Sequence, residues 1–585
     1  MTSFFQAAAR PSAGAAVSGA PGSPAWRVPS WVAAIDAWMA HPRSARAVVS
    51  GLALYLLLAA NWPLWLALAR LGGAPSVYLR SIGAMAVLIG FGTVALLSLT
   101  AWTRWMKPLW FAVVLLAAVA QHYMLTYRVV MDPGMAANAF QTDLHEARDL
   151  LSWGLLRDVL LVGMLPAWWL LRVRVRPMRA WGQLWRNAAL LVVALAVVAA
   201  GAAAMSRELA PLMRNHVTLR YMVNPLASLY SASAVVVRPL FKHSGRLIAI
   251  SGGAALGPSY ASQARPPLFV VVVGETARAD HFALNGYGRD TTPELAARQV
   301  LSWRNVHSCG THTLASVPCM FSSLGKAGYE GRKDEHENLL DVAQAAGLAV
   351  LWVDNQSGCK GVCDRVPNAS AVDGLPPDVK SVLCDGDECL DDVMLRNIDQ
   401  RIAALPAERR ARGVLLVMHQ MGSHGPAYAK RSAPDVKRFT PECKTNVLAD
   451  CSHGELMNAY DNSIAHTDRF LSRTIDWLQA QSSRYDTGML YMSDHGESLG
   501  EYGLFLHGLP YNIAPDVQKH VPMVVWFGDG LRAREKLSTA CLRSDQDVAL
   551  THDNLYHTVL GVMDVQTPTY KPALDALAAC RGPAA

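Results

Sequence analysis

Four apolar runs in the second half of the chain end in residues that can do chemistry. Phe269 to Val273 stops at Gly274-Glu275, and Leu348 to Val353 stops at Asp354-Asn355 with Lys360 shortly after. Val414 to Met418 leads to His419 and on to His424, while Met489 to Met492 gives way to Ser493-Asp494-His495-Gly496. A carboxylate at the end of an apolar strand is costly to bury without a cation or a hydrogen-bond partner. Glu275, Asp494, His495, His424 and His507 make a carboxylate and imidazole set that suits Zn²⁺ or Mn²⁺. Taken singly, an acid after a strand also reads as a helix cap or a solvated group; the run from Ser493 to Glu497 is the most specific.

A metal of this type activates a hydroxyl nucleophile by coordinating it. The candidate segment is Ser308-Cys309-Gly310-Thr311-His312-Thr313, a glycine-containing turn leading toward a helix. A helix start offers backbone N–H groups to a phosphate or sulfate. Spacing does not choose among Ser308, Thr311, Thr313 and Ser316, any of which could instead cap the helix.

For these groups to meet, the runs must be neighbouring strands. Continuous apolar runs alternating with amphipathic stretches are the pattern of a mostly parallel sheet covered on both faces. Ligand sites of such sheets lie beyond the carboxyl ends of the strands. An α/β outer domain with its site at those ends is therefore expected over residues 266–585.

The first half is built for a different solvent. The 585-residue chain is 52% hydrophobic and only 17% charged, against about a quarter in ordinary soluble proteins. Residues 46–206 contain 18 charged side chains. Five stretches there are long enough to cross a bilayer: Ala47 to Ala69, Ser81 to Thr103, Pro108 to Tyr127, Ser152 to Leu171 and Asn187 to Ser206. Arg27, Arg43 and Arg46 precede the first; Arg104 and Lys107 follow the second; Arg172, Arg174, Arg176, Arg179 and Arg186 follow the fourth. The third-to-fourth connection instead carries Asp132, Asp143, Glu146 and Asp149. Basic loops stay inside, so the amino terminus is cytoplasmic and everything after about Arg207 lies outside. Arg70 and Arg80, between the first two spans, are exceptions to this rule. The net charge of +7 is thus largely a topology signal, and no nucleic-acid partner is expected.

Residues 1–45, rich in Ala, Pro, Gly and Ser, lack the apolar core of a cleavable signal peptide and are expected as a flexible cytoplasmic tail. Residues 46–206 form the five-helix transmembrane domain, and 207–265 a connector along the membrane surface. All ten cysteines follow residue 300, which reads as disulfides in an oxidising compartment. Eight form close couples, Cys309/Cys319, Cys359/Cys363, Cys384/Cys389 and Cys443/Cys451, with Cys541 and Cys580 left over. The alternative is a zinc site built from the second and third couples.

Four motifs together resemble the phosphoethanolamine transferases of Gram-negative inner membranes, which include the lipid A-modifying and mobile colistin-resistance enzymes. They are Ser308-Cys309-Gly310-Thr311-His312-Thr313 with Ser316 to Ser322, Asp354 to Gly361, Met421-Gly422-Ser423-His424-Gly425-Pro426, and Ser493 to Glu501. The resemblance runs from about residue 46 to the end. It implies an alkaline phosphatase/sulfatase-like outer domain in the periplasm, with Thr313 as nucleophile and Glu275, Thr313, Asp494 and His495 as ligands of a catalytic Zn²⁺. It further implies that His424 and His507 hold a second zinc, contact the substrate phosphate or protonate the leaving group. Ser357 and Lys360 match residues that contact the donor. Asn138, Thr142 and Glu146 match a periplasmic motif lining the same site, and their spacing puts them on one helical face.

Two positions depart from the family. His312 stands beside the nucleophile where the residue is often small, and Gly328 stands where some members present an acid. The implied donor is phosphatidylethanolamine and the implied acceptor a lipid A phosphate, with a core sugar or another periplasmic glycan as alternatives. A related glycerol-phosphate transferase or sulfatase is the neighbouring enzymatic reading, although a sulfatase would carry a modifiable Cys or Ser at Thr313. A transporter or sensor is disfavoured by the scarcity of charge within the spans. The protein is expected to work as a monomer among membrane lipids.

Overall fold

The computed structural model describes residues 41–71, 75–101, 106–141, 144–176, 178–242, 246–386 and 388–582. Most of the expected tail, and Thr142, lie outside them. The outer domain is centred on an eight-stranded sheet: β1 (Pro267–Gly274), β2 (Leu301–His307), β3 (Ala349–Asp354), β4 (Asn368–Ser370), β5 (Val414–His419), β6 (Asp486–Ser493), β7 (His520–Phe527) and β8 (Leu550–Thr551). Their order across the sheet is β8-β2-β7-β6-β1-β5-β3-β4. β7 runs antiparallel to both β6 and β2, and the other neighbours are parallel.

Every residue of β1 is buried because both faces are covered. Val271, Val273, Leu415, Val417, Leu490 and Met492 pack in one core, and Val270, Val272, Leu416, Met418, Met489 and Tyr491 in the other. This two-sided burial is why the strands read as unbroken apolar runs. The register pairs Ser493 with Gly274 and His419 with Val273. The next residues of β1 and β6, Glu275 and Asp494, therefore leave the sheet side by side.

Five disulfides staple this domain: Cys309–Cys319, Cys359–Cys363, Cys384–Cys389, Cys443–Cys451 and Cys541–Cys580. The leftover cysteines pair with each other, and the second and third couples are disulfides rather than zinc thiolates. Part of the segment expected as a surface connector is also stitched into the outer domain. Leu247–Ile248 pairs with Glu335–His336, and Ala255–Leu256 pairs with Val565–Gln566.

In the apolar half, Leu79–Thr100, Lys107–Thr126, Trp153–Arg172 and Ala180–Ala204 are each long and apolar enough to cross a membrane. A fifth span is the pair Ala45–Ala60 and Trp62–Arg70, bent by 47°. Pro63, in the first turn of the second piece, cannot donate a backbone hydrogen bond, and freed carbonyls in lipid must find donors within the protein. Two fully buried asparagines supply them. Asn61 Nδ2 donates to Leu56 O at 2.9 Å, and Asn224 Nδ2 donates to Ala60 O at 3.1 Å and Ala117 O at 2.7 Å. The Asn224 N–H donates to Asn61 Oδ1 at 2.8 Å, so a residue beyond the last span closes the break in the first. Asn224→Leu leaves these buried groups unmet, at about 1–3 kcal/mol. It should lower the melting temperature of the detergent-solubilised protein by about 3 °C or more; an unchanged melting temperature would contradict this role.

Candidate metal centre

Glu275, Asp494 and His495 are completely buried, and they can present one ligand atom each within 4.8 Å of one another. Their side chains are aimed by backbone groups. Asp494 Oδ1 accepts the N–H of His495 at 2.7 Å and of Thr276 at 3.2 Å, which leaves Oδ2 for the centre. His495 Nδ1 lies 2.9 Å from Gly496 O; a proton there makes Nε2 the ligating nitrogen. Nε2 sits 3.2 Å from Glu275 Oε1 and 3.3 Å from Asp494 Oδ2. Neither Asp494 Oδ2 nor His495 Nε2 has a hydrogen-bond partner. Burial and the Glu275 carboxylate push the Asp494 carboxyl up. Orphaned donor atoms converging in a dry pocket fit a divalent cation of the kind held by mixed oxygen and nitrogen ligands.

The hydroxyl that faces this set is Thr313. Its Oγ1 lies 3.1 Å from Glu275 Oε2 and 3.3 Å from Oε1, at the first residue of the helix Thr313–Met320. The other three candidates are engaged with backbone groups. Ser308 Oγ donates to Gly310 O, Thr311 Oγ1 donates to Leu509 O, and Ser316 Oγ accepts the Gly310 N–H. Gly422, at φ +53°, closes the cradle: a Cβ there would lie 2.6 Å from Glu275 O.

His424 and His507 stand beside the cluster. The His507 ring is centred 4.3 Å from that of His495 and 5.4 Å from that of His424. Its Nδ1 is 3.4 Å from the Glu497 carboxylate. Burial, with His495 nearby, lowers His507 to about 3, so its ring is neutral. Lys360 and Ser357 form a separate pair after β3, with Lys360 Nζ donating to Ser357 Oγ at 2.6 Å and to Ser357 O at 2.9 Å. Lys360 shares a cavity wall with Leu314 and Pro318 of the helix that begins at Thr313. Asn138 is on the helix Pro133–Gln141 and Glu146 belongs to a second one, Leu144–Asp149.

Three positioning contacts were not legible as sites. His552, lowered to about 3 by burial, accepts the Cys309 N–H at Nδ1 (3.0 Å) and reaches Ser493 O from Nε2 (2.9 Å); it ties the turn before Thr313 to the end of β6. His312 faces the membrane domain, where a Cβ on Gly134 would lie 3.2 Å from its Nε2 and 3.3 Å from Asp132 Oδ2. Arg431, 4% exposed, donates from Nε to His424 O at 3.0 Å and pairs with Asp149 at 3.0 Å and Glu388 at 3.1 Å. Neither His552 nor Arg431 ends an apolar run or falls in a motif that marks chemistry, and His312, which stands in the Ser308 to Thr313 motif, makes a contact toward the membrane domain that spacing does not record. Gly328, by contrast, lies on the helix Gly325–Gly331, where a Cβ would meet only Leu324.

Residues 267–565 match the sulfatase family model, and residues 88–240 match the model described as phosphoethanolamine transferase EptA/EptB. Phosphoethanolamine transferase EptA of Salmonella typhimurium is 38% identical over 479 residues, 80% of this chain and 84% of the relative. Phosphatidylethanolamine transferase Mcr-1 from Escherichia coli is 38% identical over 490 residues, 82% of this chain and 88% of the relative. The solved structure of the integral membrane lipooligosaccharide phosphoethanolamine transferase A from Neisseria meningitidis superposes with a TM-score of 0.86 at 31% identity, covering 92% of this chain and 99% of that one. With a sulfatase-type domain, a hydroxyl at a buried carboxylate-imidazole cluster and an apolar helical domain matched along its length, the chain belongs to the phosphoethanolamine transferase family.

Proposed function

We propose that the protein transfers phosphoethanolamine from phosphatidylethanolamine to a phosphate of lipid A at the periplasmic face of the bacterial inner membrane. The observation that carries this reading is the Thr313 hydroxyl 3.1 Å from the buried Glu275 carboxylate, at a helix start beside the unsatisfied Asp494 and His495 atoms. In the first step Thr313 Oγ1 attacks the phosphorus of the donor. The bond from phosphorus to the diacylglycerol oxygen breaks, diacylglycerol takes up a proton, and a phosphoethanolamine ester remains on the threonine. In the second step an acceptor phosphate oxygen attacks that phosphorus and Thr313 leaves.

Glu275, Thr313, Asp494 and His495 are the residues that would hold Zn²⁺, which when bound supplies charge neutralisation for a phosphoryl-type displacement and eases deprotonation of a hydroxyl. His424 and His507, at the rim of the cluster, bind the non-bridging phosphate oxygens, and His424 carries the proton exchanged with the leaving group. Lys360 and Ser357 orient the donor head group, and the helix Pro133–Gln141 roofs the site from the membrane side through the Gly134–His312 contact. Adding a cationic amine to lipid A lowers the negative charge that attracts cationic peptides, and this accounts for polymyxin and colistin resistance as the outcome.

With labelled phosphatidylethanolamine, Thr313→Ala should release no diacylglycerol and accumulate no label on the protein; retention of either would exclude this nucleophile. Stripping divalent cations with a chelator should abolish diacylglycerol release, and Zn²⁺ should restore it; activity that survives removal would exclude zinc dependence. His552→Ala should lower kcat by about 10-fold or more with little change in the donor KM, because it misplaces the nucleophile turn without touching substrate. An unaltered kcat would contradict that role. Mass spectrometry of lipid A from cells with and without the gene tests the acceptor: an unchanged profile would exclude lipid A.

A further inference from the structure

Leu506 stands in the left-handed region at φ +62°, a conformation that a bulky side chain holds only where its surroundings impose it. The next residue is His507, beside the candidate centre. Among the described residues its ring makes one polar contact, 3.4 Å from Nδ1 to the Glu497 carboxylate, longer than a firm hydrogen bond. The ring is therefore aimed chiefly by its backbone, and the peptide that joins Leu506 to His507 is where that aim is set.

That peptide is held by Gln518. Ser498–Leu499 and Phe505–Leu506 pair as a short antiparallel hairpin, with Ser498 opposite Leu506 at its base. Asp494 and His495 precede the hairpin and His507 follows it. Gln518 ends the turn Asp516–Gln518 and is 1% exposed, so its amide must find partners within the protein. Nε2 donates to Ser498 Oγ at 2.8 Å and to Leu506 O at 3.1 Å, and Oε1 accepts the Leu509 N–H at 3.3 Å. Both donors and the acceptor of the amide are thus engaged, across the base of the hairpin and on both sides of His507. The backbone of the same turn grips the incoming strand: Gln518 O accepts the Gly496 N–H at 3.1 Å, and Val517 O accepts the Glu497 N–H at 3.0 Å. A Cβ on Gly496 would overlap Val517 O, so only glycine permits this approach. Phe505 and Gly508 are held separately, by Tyr127 O and Thr311 O, and neither bond touches the Leu506–His507 peptide.

We propose that Gln518 is a positioning residue for phosphoryl transfer: by tying the strained Leu506–His507 peptide to Ser498, it fixes the His507 imidazole against His495 and the substrate phosphate. The inference rests on the phosphate-binding role proposed above for His507. Gln518 itself touches no substrate, and misplacing the group it holds is felt chiefly in the chemical step.

The test uses the full-length protein in nanodiscs containing phosphatidylethanolamine. Gln518→Met, which keeps the length of the side chain without its donors, should lower kcat for diacylglycerol release by about 10-fold or more, with little change in the donor KM. In a His507→Ala background the same substitution should do no further harm, because two changes that act through one group do not add. An unaltered kcat, or an equal fall in both backgrounds, would overturn the assignment. If His507→Ala alone keeps the wild-type kcat, it is the role of His507 that fails. The structure of Gln518→Met judges the positioning without reference to activity: a His507 ring displaced from its 4.3 Å approach to His495 supports it, and a ring left in place overturns it. Should Gln518→Met fail to accumulate, Gln518→Glu, of the same shape without the amide donors, takes its place in each measurement.

Discussion

Placing Glu275, Asp494 and His495 together at zero exposure is the constraint around which the outer domain is organised. Two carboxylates and an imidazole removed from water cost several kcal/mol per charge unless they are paired or coordinate a metal. Backbone N–H groups satisfy one oxygen of Asp494 and a carbonyl engages the far side of His495. What remains unsatisfied points inward, toward Thr313 and toward each other. The parallel register that brings Gly274 opposite Ser493 produces this convergence, and the glycine at 422 lets the following loop close behind it. A site so arranged leaves converging donor atoms that a divalent cation would satisfy.

The second organising requirement is that a site for lipid head groups be held against lipid. The outer domain does not hang from a flexible tether: Tyr127 O–H donates to Asn446 O, Asn446 donates to Asp149 O, and Asp149 pairs with Arg431. Because Arg431 also donates to the carbonyl of His424, the seating of the two domains and the placement of a site histidine share one guanidinium. Arg431 also pairs with Glu388 and Asp149 with Lys430, so the junction is held by a network of largely buried charge rather than by a single pair. The same logic operates inside the membrane, where Asn224 completes the broken first span.

Much of this was readable from residue order, and the reasons are physical. Lipid excludes charge, so the spans announce themselves as runs without charge, apart from the paired Arg157 and Asp158 near the start of the fourth, and buried parallel strands announce themselves as apolar runs that stop at polar residues. Glu275, Asp494 and His495 sit at such stops. His552 does not, because its work consists of two bonds to backbone atoms far apart in sequence, which no local pattern records. Arg431 escaped for a similar reason, and so did the contact made by His312, although the residue itself stands out in its motif: each acts across the junction of two domains, and sequence spacing carries no information about that junction. The choice among four hydroxyls needed the fold as well, since three of them are engaged by backbone groups only once the turn is formed.

A cation at the ends of β1 and β6 is what the proposed chemistry requires. Anomalous scattering at the zinc edge from crystals of the full-length protein tests it most directly. The prediction is one strong peak enclosed by Glu275, Thr313, Asp494 and His495 that vanishes in Glu275→Gln crystals. Zinc-replete crystals with no peak there would contradict it.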